Sequence, residues 1–156
     1  MRQRLGMLRK IANLYGVMEE MRRSELERAV SAMREVEEAL AVQRSAVLCA
    51  RLDGRAALED GDRLGWMTAD KRREVAGWRR IRLEEELVKR EAASAAARQR
   101  YLSSRIESEQ MKRLRDDAAQ MVEIDEGRRM QAIVDDRFLS RRSWIVAKDD
   151  AQMRES

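Results

Sequence analysis

The stretch that decides the fold is LEDGDRLGWMTADKRREVAGWRRIR, residues 58–82. It contains three of the seven glycines and two of the three tryptophans, namely Gly61, Gly65, Gly77, Trp66 and Trp78. The residues on either side are mostly Ala, Leu, Glu, Arg, Met and Gln, which lose least on entering a helix. The stretch is therefore a linker between two domains, the tip of a helical hairpin, or a binding site.

The composition argues against a compact globular domain. Charged residues make up 40% of the 156 residues and aromatic residues 4%, and proline and histidine are absent. Because proline is missing and glycine is concentrated in one place, turns are scarce. Such a composition is typical of a long helix or coiled coil. Disorder is the alternative, but a hydrophobic content of 44% is too high for it.

The residue types also exclude several kinds of chemistry. Without histidine, the chain has no Ser–His or Cys–His nucleophile and no histidine-ligated zinc site. Adjacent carboxylates such as Glu84, Glu85 and Glu86 point to different faces of a helix, which favours a solvated surface. Cys49 is the single cysteine, so we expect a reducing compartment and a small apolar packing residue there. We predict no enzyme activity, no cofactor and no metal.

Two basic segments invite other interpretations. The segment KRREVAGWRRIR (71–82) resembles a basic region before a leucine zipper, but heptad leucines do not continue and EEE follows, so we expect no nucleic-acid binding. The segment MRQRLGMLRKIANLYGVM (1–18) is basic and amphipathic, as surface-bound membrane helices are. Its apolar positions continue into the seam of the first helix, which favours a partner helix. No apolar run of about 18 residues and no signal peptide are present, so we expect a cytoplasmic protein without membrane insertion.

Hydrophobic spacing predicts a first helix over about residues 5–60, with Gly61 as its C-terminal stop. Apolar residues at alternating spacings of three and four indicate a seam that another helix must cover. Spacings of four and four between Met18, Arg22 and Leu26 predict a stutter. The seam residues on the two sides of that stutter are Leu8, Ile11, Tyr15 and Met18, then Leu26, Ala29, Met33, Val36, Leu40, Gln43 and Val47.

The second helix is predicted to begin at Thr68 as an N-cap. The preceding turn covers about residues 61–67, with Gly61 and Gly65 making the reversal. We expect the helix to end near residue 147, with residues 148–156 frayed, and its seam to be irregular. A short connection between long helices favours antiparallel neighbours, which sets residues 5–10 opposite about 118–123.

The predicted fold class is therefore all-α: two long helices in one antiparallel coiled-coil hairpin over residues 1–156. This favours the hairpin tip among the three interpretations of the opening stretch. Residues 1–23 carry six basic and two acidic side chains, and residues 128–148 carry the same numbers. The hairpin would bring these two basic segments together at its open end.

Three features carry a resemblance to a known family. They are the N-terminal segment LGMLRKIANLYGVMEEMRRSELERA (5–29), a single turn before the middle of the chain, and the C-terminal segment RRMQAIVDDRFLSRRSW (128–144). With these the chain resembles the FliJ/YscO family over nearly its whole length. Members of that family are the small stalk proteins of flagellar and virulence type III secretion ATPases.

The resemblance implies a bacterial, monomeric rod like the coiled-coil part of the rotary ATPase γ subunit. It implies a place at the inner-membrane secretion apparatus, where the rod binds the hexameric export ATPase, promotes its activity, and contacts the export gate membrane protein and export chaperones. For the gate, the positions implied are Trp78 and Ile81; Trp66 is added as a candidate contact because it is a tryptophan near the tip of a rod with little core to fill. For the ATPase ring, they are Asp135, Asp136 and Arg141, with the basic-end residues Arg4, Arg9, Lys10, Arg137 and Arg142.

The alternative function is a structural coiled-coil scaffold or adaptor without an ATPase partner. Such a protein would dimerise through its heptad seam, so that seam residues would pair between chains. A stalk protein would instead fill the seam within one chain.

Overall fold

The computed structural model describes residues 2–154, with side chains described through residue 148. It consists of two α-helices, α1 (Arg2–Glu59) and α2 (Arg63–Arg154), and the described residues contain no strand. The two helices are in contact and antiparallel, so the predicted all-α helical hairpin is confirmed.

The chain divides into two compact units. The first is Gly16–Glu107, which we call the turn unit; the second joins Met1–Tyr15 with Ser108–Ser156, which we call the end unit. In the turn unit, Arg72 Nη2 donates a hydrogen bond to Asp53 Oδ2 at 3.1 Å across the two helices. In the end unit, Arg2 Nη2 lies 2.7 Å from Glu126 Oε1. Both pairs agree with the antiparallel register expected from the sequence.

The turn is built by a glycine and an aspartate next to each other. Gly61 has a φ of +69°, the left-handed conformation that glycine adopts without steric cost. Its N–H donates to Leu58 O at 3.2 Å, and the N–H of Asp62 donates to Ala57 O at 2.8 Å. This pair of bonds is a Schellman motif, so the predicted helix stop at Gly61 is confirmed.

The predicted N-cap at Thr68 is wrong, because α2 begins five residues earlier. Asp62 is the N-cap: its Oδ1 accepts a hydrogen bond from Gly65 N at 2.9 Å, and its carbonyl accepts the first helical bond from Trp66 N at 3.0 Å. Thr68 lies inside the helix, where its hydroxyl donates to Gly65 O at 2.8 Å. The turn is therefore shorter than the expected 61–67, and Gly65 belongs to the first helical turn rather than to the reversal.

The C-terminal end of α2 also differs from the expectation. The helix was expected to end near residue 147 with a frayed tail over 148–156, but it continues to Arg154. No proline or glycine follows Gly127, so the sequence contains no residue that would stop the helix there. Residues 155 and 156 lie outside the described residues.

The α1 seam follows the predicted heptad from Leu26 onward. All seven residues predicted between Leu26 and Val47 are buried or half-buried, and Leu40 is the most buried of them. The spacing continues through Ala50, Gly54 and Ala57 to the turn. Gly54 faces α2 closely, since a Cβ atom added there would lie 3.6 Å from Ala69 Cβ.

The predicted seam before Leu26 is correct at Leu8 and Tyr15 but wrong at Ile11 and Met18. Ala12 is 3% exposed, whereas Ile11 and Met18 are 37% and 40% exposed. The covered positions are Leu5, Leu8, Ala12, Tyr15, Glu19 and Arg22, which alternate three and four without the predicted stutter. The heptad phase set by the long run after Leu26 therefore prevails over the larger side chains at neighbouring positions.

The α2 seam is regular, contrary to the expectation, but small and polar residues make up most of it. The covered positions include Ala69, Ala76, Arg80, Leu83, Leu87, Ser94, Ala97, Tyr101, Ser104, Ser108, Met111, Arg115, Ala118, Val122 and Asp125. Every gap in this series is three, four or seven residues. Small side chains allow close approach of the two helices, and apolar residues such as Leu102, Ile106 and Leu114 are left exposed outside the seam.

Candidate functional site

The two tryptophans of the opening stretch lie on different faces of α2. Trp66 is 39% exposed and lies beside α1, since its Cδ1 would be 3.9 Å from a Cβ added to Gly54. Trp78 is 66% exposed and lies on the face away from the seam. The structure therefore places Trp66 in the packing of the hairpin tip and leaves Trp78 available to a partner.

Ile81 shares the outward face with Trp78. The two residues are three apart, so they are neighbours on the helix surface, and Val88 follows one heptad after Ile81. All three are exposed. Lys71 precedes this group, and a hydrogen bond to the Glu74 carboxylate raises its pKa. Of the predicted gate-contacting positions, Trp78 and Ile81 thus form one apolar patch, whereas Trp66 does not join it.

The basic segment 128–148 belongs to the end unit, as do the α1 residues Arg4, Arg9 and Lys10, all of them exposed. Arg4 lines a groove of about 340 Å³ between the helices, together with Leu8, Leu114, Asp117, Ala118 and Met121. This groove is mostly apolar with one carboxylate, and its geometry offers contact area rather than catalysis.

Residues 127–148 of α2, which we call the distal segment, are covered by no other described residue. Every one of its side chains is exposed. All five ring residues proposed on α2 lie here: Asp135, Asp136, Arg137, Arg141 and Arg142. Gln131 Nε2 donates a hydrogen bond to Asp135 Oδ1 at 2.8 Å, and both side chains belong to the same helix. The distal segment is therefore an unpartnered helix that carries both charge and apolar area.

The apolar side chains of the distal segment are large. They are Met130, Ile133, Val134, Phe138, Leu139, Trp144, Ile145 and Val146, each 46% or more exposed. Lys148 Nζ lies 5.4 Å from the centre of the Trp144 ring, within the range of a cation–π contact. The large apolar side chains exposed here make the distal segment a candidate interaction surface.

The described residues offer little for catalysis or metal binding. Among them, no group of three or more Asp, Glu or Cys side chains is placed to hold a metal ion. Cys49 was expected to be a packing residue, but it is exposed and lines an open groove beside Ala50 and Ala76. In the described part of the chain, neither helix has the length of apolar sequence needed to cross a membrane.

Ion pairs within each helix adjust charge on the surface. Arg22 Nη1 donates to Glu25 Oε2 at 2.9 Å, and this hydrogen bond lowers the pKa of Glu25, with a smaller contribution from the charge of Arg100 on α2. Because the half-buried side chains of Arg22 and Glu25 still expose 37% and 38% of their surface, such pairs change the local charge more than they stabilise the fold.

Reasoning from the sequence missed the acidic run that precedes the distal segment. Residues 116–126 contain Asp116, Asp117, Glu123, Asp125 and Glu126 and no basic residue. The sequence does contain the signal: the sign of the charge changes from negative to positive between residues 126 and 128.

No family model, curated protein or solved structure matches the chain.

Proposed function

We propose that the chain is a type III secretion stalk protein that binds the hexameric export ATPase, promotes its activity, and links it to the export gate and chaperones. The observation that supports the proposal best is an antiparallel two-helix hairpin whose basic distal segment is exposed. The resemblance to the FliJ/YscO family implies this arrangement. The described residues form no enclosed catalytic site, so binding is the activity that the geometry supports.

The positive charge of the distal segment supports binding to a ring of subunits that presents acidic side chains. Arg137, Arg141 and Arg142 extend from a helix that no described residue covers. Arginine side chains bind carboxylates through several donors, and association between opposite charges is accelerated by electrostatic attraction. The hexamer would present such carboxylates in six copies.

The scaffold alternative is less well supported by the packing. A dimer through the heptad seam requires seam residues that are free to contact a second chain. In the turn unit, Leu40, Val47 and Ala50 are each buried by the chain itself. Their burial leaves this part of the seam little free apolar area for another copy.

The test is to add the purified chain to the cognate hexameric export ATPase and to measure the rate of ATP hydrolysis. We expect the rate to rise, and Arg9→Glu with Lys10→Glu to weaken the effect. Arg98→Glu, an exposed charge reversal in the turn unit, is the matched control and should stimulate normally. No stimulation together with no co-purification would rule the proposal out.

A further inference from the structure

One strip of side chains runs along α2 on the face opposite its seam. Starting at residue 116 and alternating four and three residues, it occupies positions halfway around the helix from seam residues such as Ala118 and Val122. We call it the outer strip. Its ten members are Asp116, Gln120, Glu123, Gly127, Met130, Val134, Arg137, Arg141, Trp144 and Lys148, and all of them are exposed.

The chemistry of the outer strip changes in order along the helix. Its first part carries the carboxylates Asp116 and Glu123 and no base. Its centre is apolar, with Met130 and Val134 at 62% and 54% exposure. Its last part carries three cations and no acid, namely Arg137, Arg141 and Lys148. A sequence of acidic, apolar and basic thirds is complementary to itself when one helix is reversed.

We propose that two copies of the chain associate through their outer strips, antiparallel, about a twofold axis near residue 132. When one strip is reversed against the other, each member faces a member of the other copy, and the two residue numbers of every pair have the same sum. The pairs are Asp116 with Lys148, Gln120 with Trp144, Glu123 with Arg141, Gly127 with Arg137, and Met130 with Val134. Each pair occurs twice in the dimer because the interface is isologous.

The charges select the direction of pairing. In the antiparallel arrangement Glu123 and Asp116 each meet a cation, and no pair joins two like charges. A parallel arrangement would set Arg137, Arg141 and Lys148 against their own copies, and like charges facing each other are destabilising. The acidic run and the basic distal segment, which lie next to each other in one chain, therefore become partners between two chains.

Apolar contacts reinforce the same alignment. Ile124 and Phe138 flank the strip on one side at equal distances from residue 131, so the antiparallel pairing sets them against each other. Both are exposed in the single chain, at 47% and 65%. The small Gly127 leaves room for the long side chain of Arg137. The strip spans residues 116–148, about five heptads, which is long enough for a helix pair to be stable.

The arrangement is compatible with the hairpin. α1 covers the opposite face of α2, as the buried Ser108 and the Arg2–Glu126 ion pair show. The second copy would approach from the uncovered side, so neither chain has to open its seam. This dimer therefore differs from a scaffold that pairs through heptad seams, and it departs from the expected monomer.

The first experiment measures the mass of the full chain by sedimentation equilibrium. We expect a dimer whose dissociation constant rises at least about tenfold for Arg141→Glu, because two Glu–Glu contacts replace two ion pairs. Glu123→Arg should have the same effect. Combining Glu123→Arg with Arg141→Glu exchanges the charges and should restore the dimer.

Arg129→Glu is the matched control, since Arg129 is exposed in the same segment but lies on the seam side of the helix. It should leave the dissociation constant unchanged. Circular dichroism should show equal helix content for all variants, because every altered side chain is exposed. A monomer throughout the concentration range, or a dimer that Arg141→Glu leaves intact, would overturn the proposal.

A second experiment tests the direction of pairing. In a Cys49→Ser background, Met130→Cys together with Val134→Cys should form a disulfide-linked dimer on mild oxidation, because disulfides require adjacent Cβ atoms. Met130→Cys alone should not, since it faces Val134 of the other copy. Efficient linkage by Met130→Cys alone would indicate a parallel pair and overturn the proposed arrangement.

The dimer does not depend on the stalk function. Its readouts are mass and crosslinking of the free chain, whereas the stalk function is measured by ATP hydrolysis. Because Arg137 and Arg141 also belong to the proposed ring contacts, the ATPase and the second copy would compete for one surface. Either proposal can fail while the other stands.

Discussion

At the scale of single residues, the turn depends on Asp62 more than on any other side chain. It closes α1 through its backbone N–H and begins α2 through its carboxylate and its carbonyl oxygen. Gly65 is the residue that its carboxylate caps, and the absence of a Cβ atom there leaves room for that contact. An added Cβ would lie 2.9 Å from Asp62 Cγ and 3.3 Å from Ala57 Cβ.

Gly65→Ala should therefore destabilise the hairpin by about 1 kcal/mol, the usual cost of losing an N-cap. Urea unfolding followed by circular dichroism measures the change. Gly77→Ala is the control: nothing lies within 4 Å of its added Cβ, and it should stabilise the helix by up to about 1 kcal/mol. Equal stabilisation by the two substitutions would contradict the role of the cap.

At the scale of elements, the two seams differ in how far the sequence predicts them. The α1 seam from Leu26 to Val47 was predicted because mostly apolar residues recur there at alternating spacings of three and four. Before Leu26 the prediction failed at Ile11 and Met18, since these residues form a second apolar row beside Ala12. Side-chain size alone does not show which row the partner helix covers; the heptad phase of the longer run does.

The α2 seam could not be predicted from hydrophobicity because its members include arginines and serines. Many of the large apolar residues of α2 lie outside the seam and face outward. The prediction of Gly61 as the helix stop was correct, but the prediction of Thr68 as the N-cap was wrong, because the hydrogen bonds assign that role to Asp62. For the candidate site, the amino-acid sequence alone pointed to Trp78 and the basic ends. Only the packing showed that Trp66 belongs to the tip, whereas the predicted pairing of residues 5–10 with about 118–123 already left the C-terminal part of α2 uncovered.

The serines of the α2 seam are a testable weakness of this element. The hydroxyls of Ser104 and Ser108 are buried and have no hydrogen-bond partner among the described residues. Ser108→Ala removes such a group without changing the space, so we expect a gain of about 1 kcal/mol in unfolding free energy. Ser45→Ala, at an exposed position of α1, reports helix propensity alone and should gain less. A loss of stability in Ser108→Ala would show that the hydroxyl has a partner.

At the scale of the whole molecule, the structure gives the chain a small core and a large amount of unpartnered apolar surface. Far fewer side chains are buried than large apolar side chains are exposed. We expect a protein with this balance to cover its exposed faces with partners. The patch at Trp78 and Ile81 in the turn unit and the distal segment in the end unit are two such faces.

Under the stalk proposal, Trp78→Ala should weaken binding to the export gate by about tenfold or more, as loss of an aromatic anchor does at other interfaces. Pull-down or calorimetry with the cytoplasmic part of the gate protein measures this. Helix content should not change, because Trp78 is exposed. Trp66→Ala is the comparison and should lower the unfolding temperature instead, since Trp66 lies against α1 beside Gly54. Reduced helix content in Trp78→Ala would show that this residue is structural.

The shared use of Asp62 by both helices has a consequence for how the protein can change in evolution. With one residue ending α1 and starting α2, the connection has no slack. A single inserted residue in either helix near the turn would rotate everything beyond it by about 100° and turn the seam away from its partner. Length can therefore vary only by whole heptads, gained or lost in both helices together, so relatives of the chain should differ in length by multiples of seven on each side of the turn.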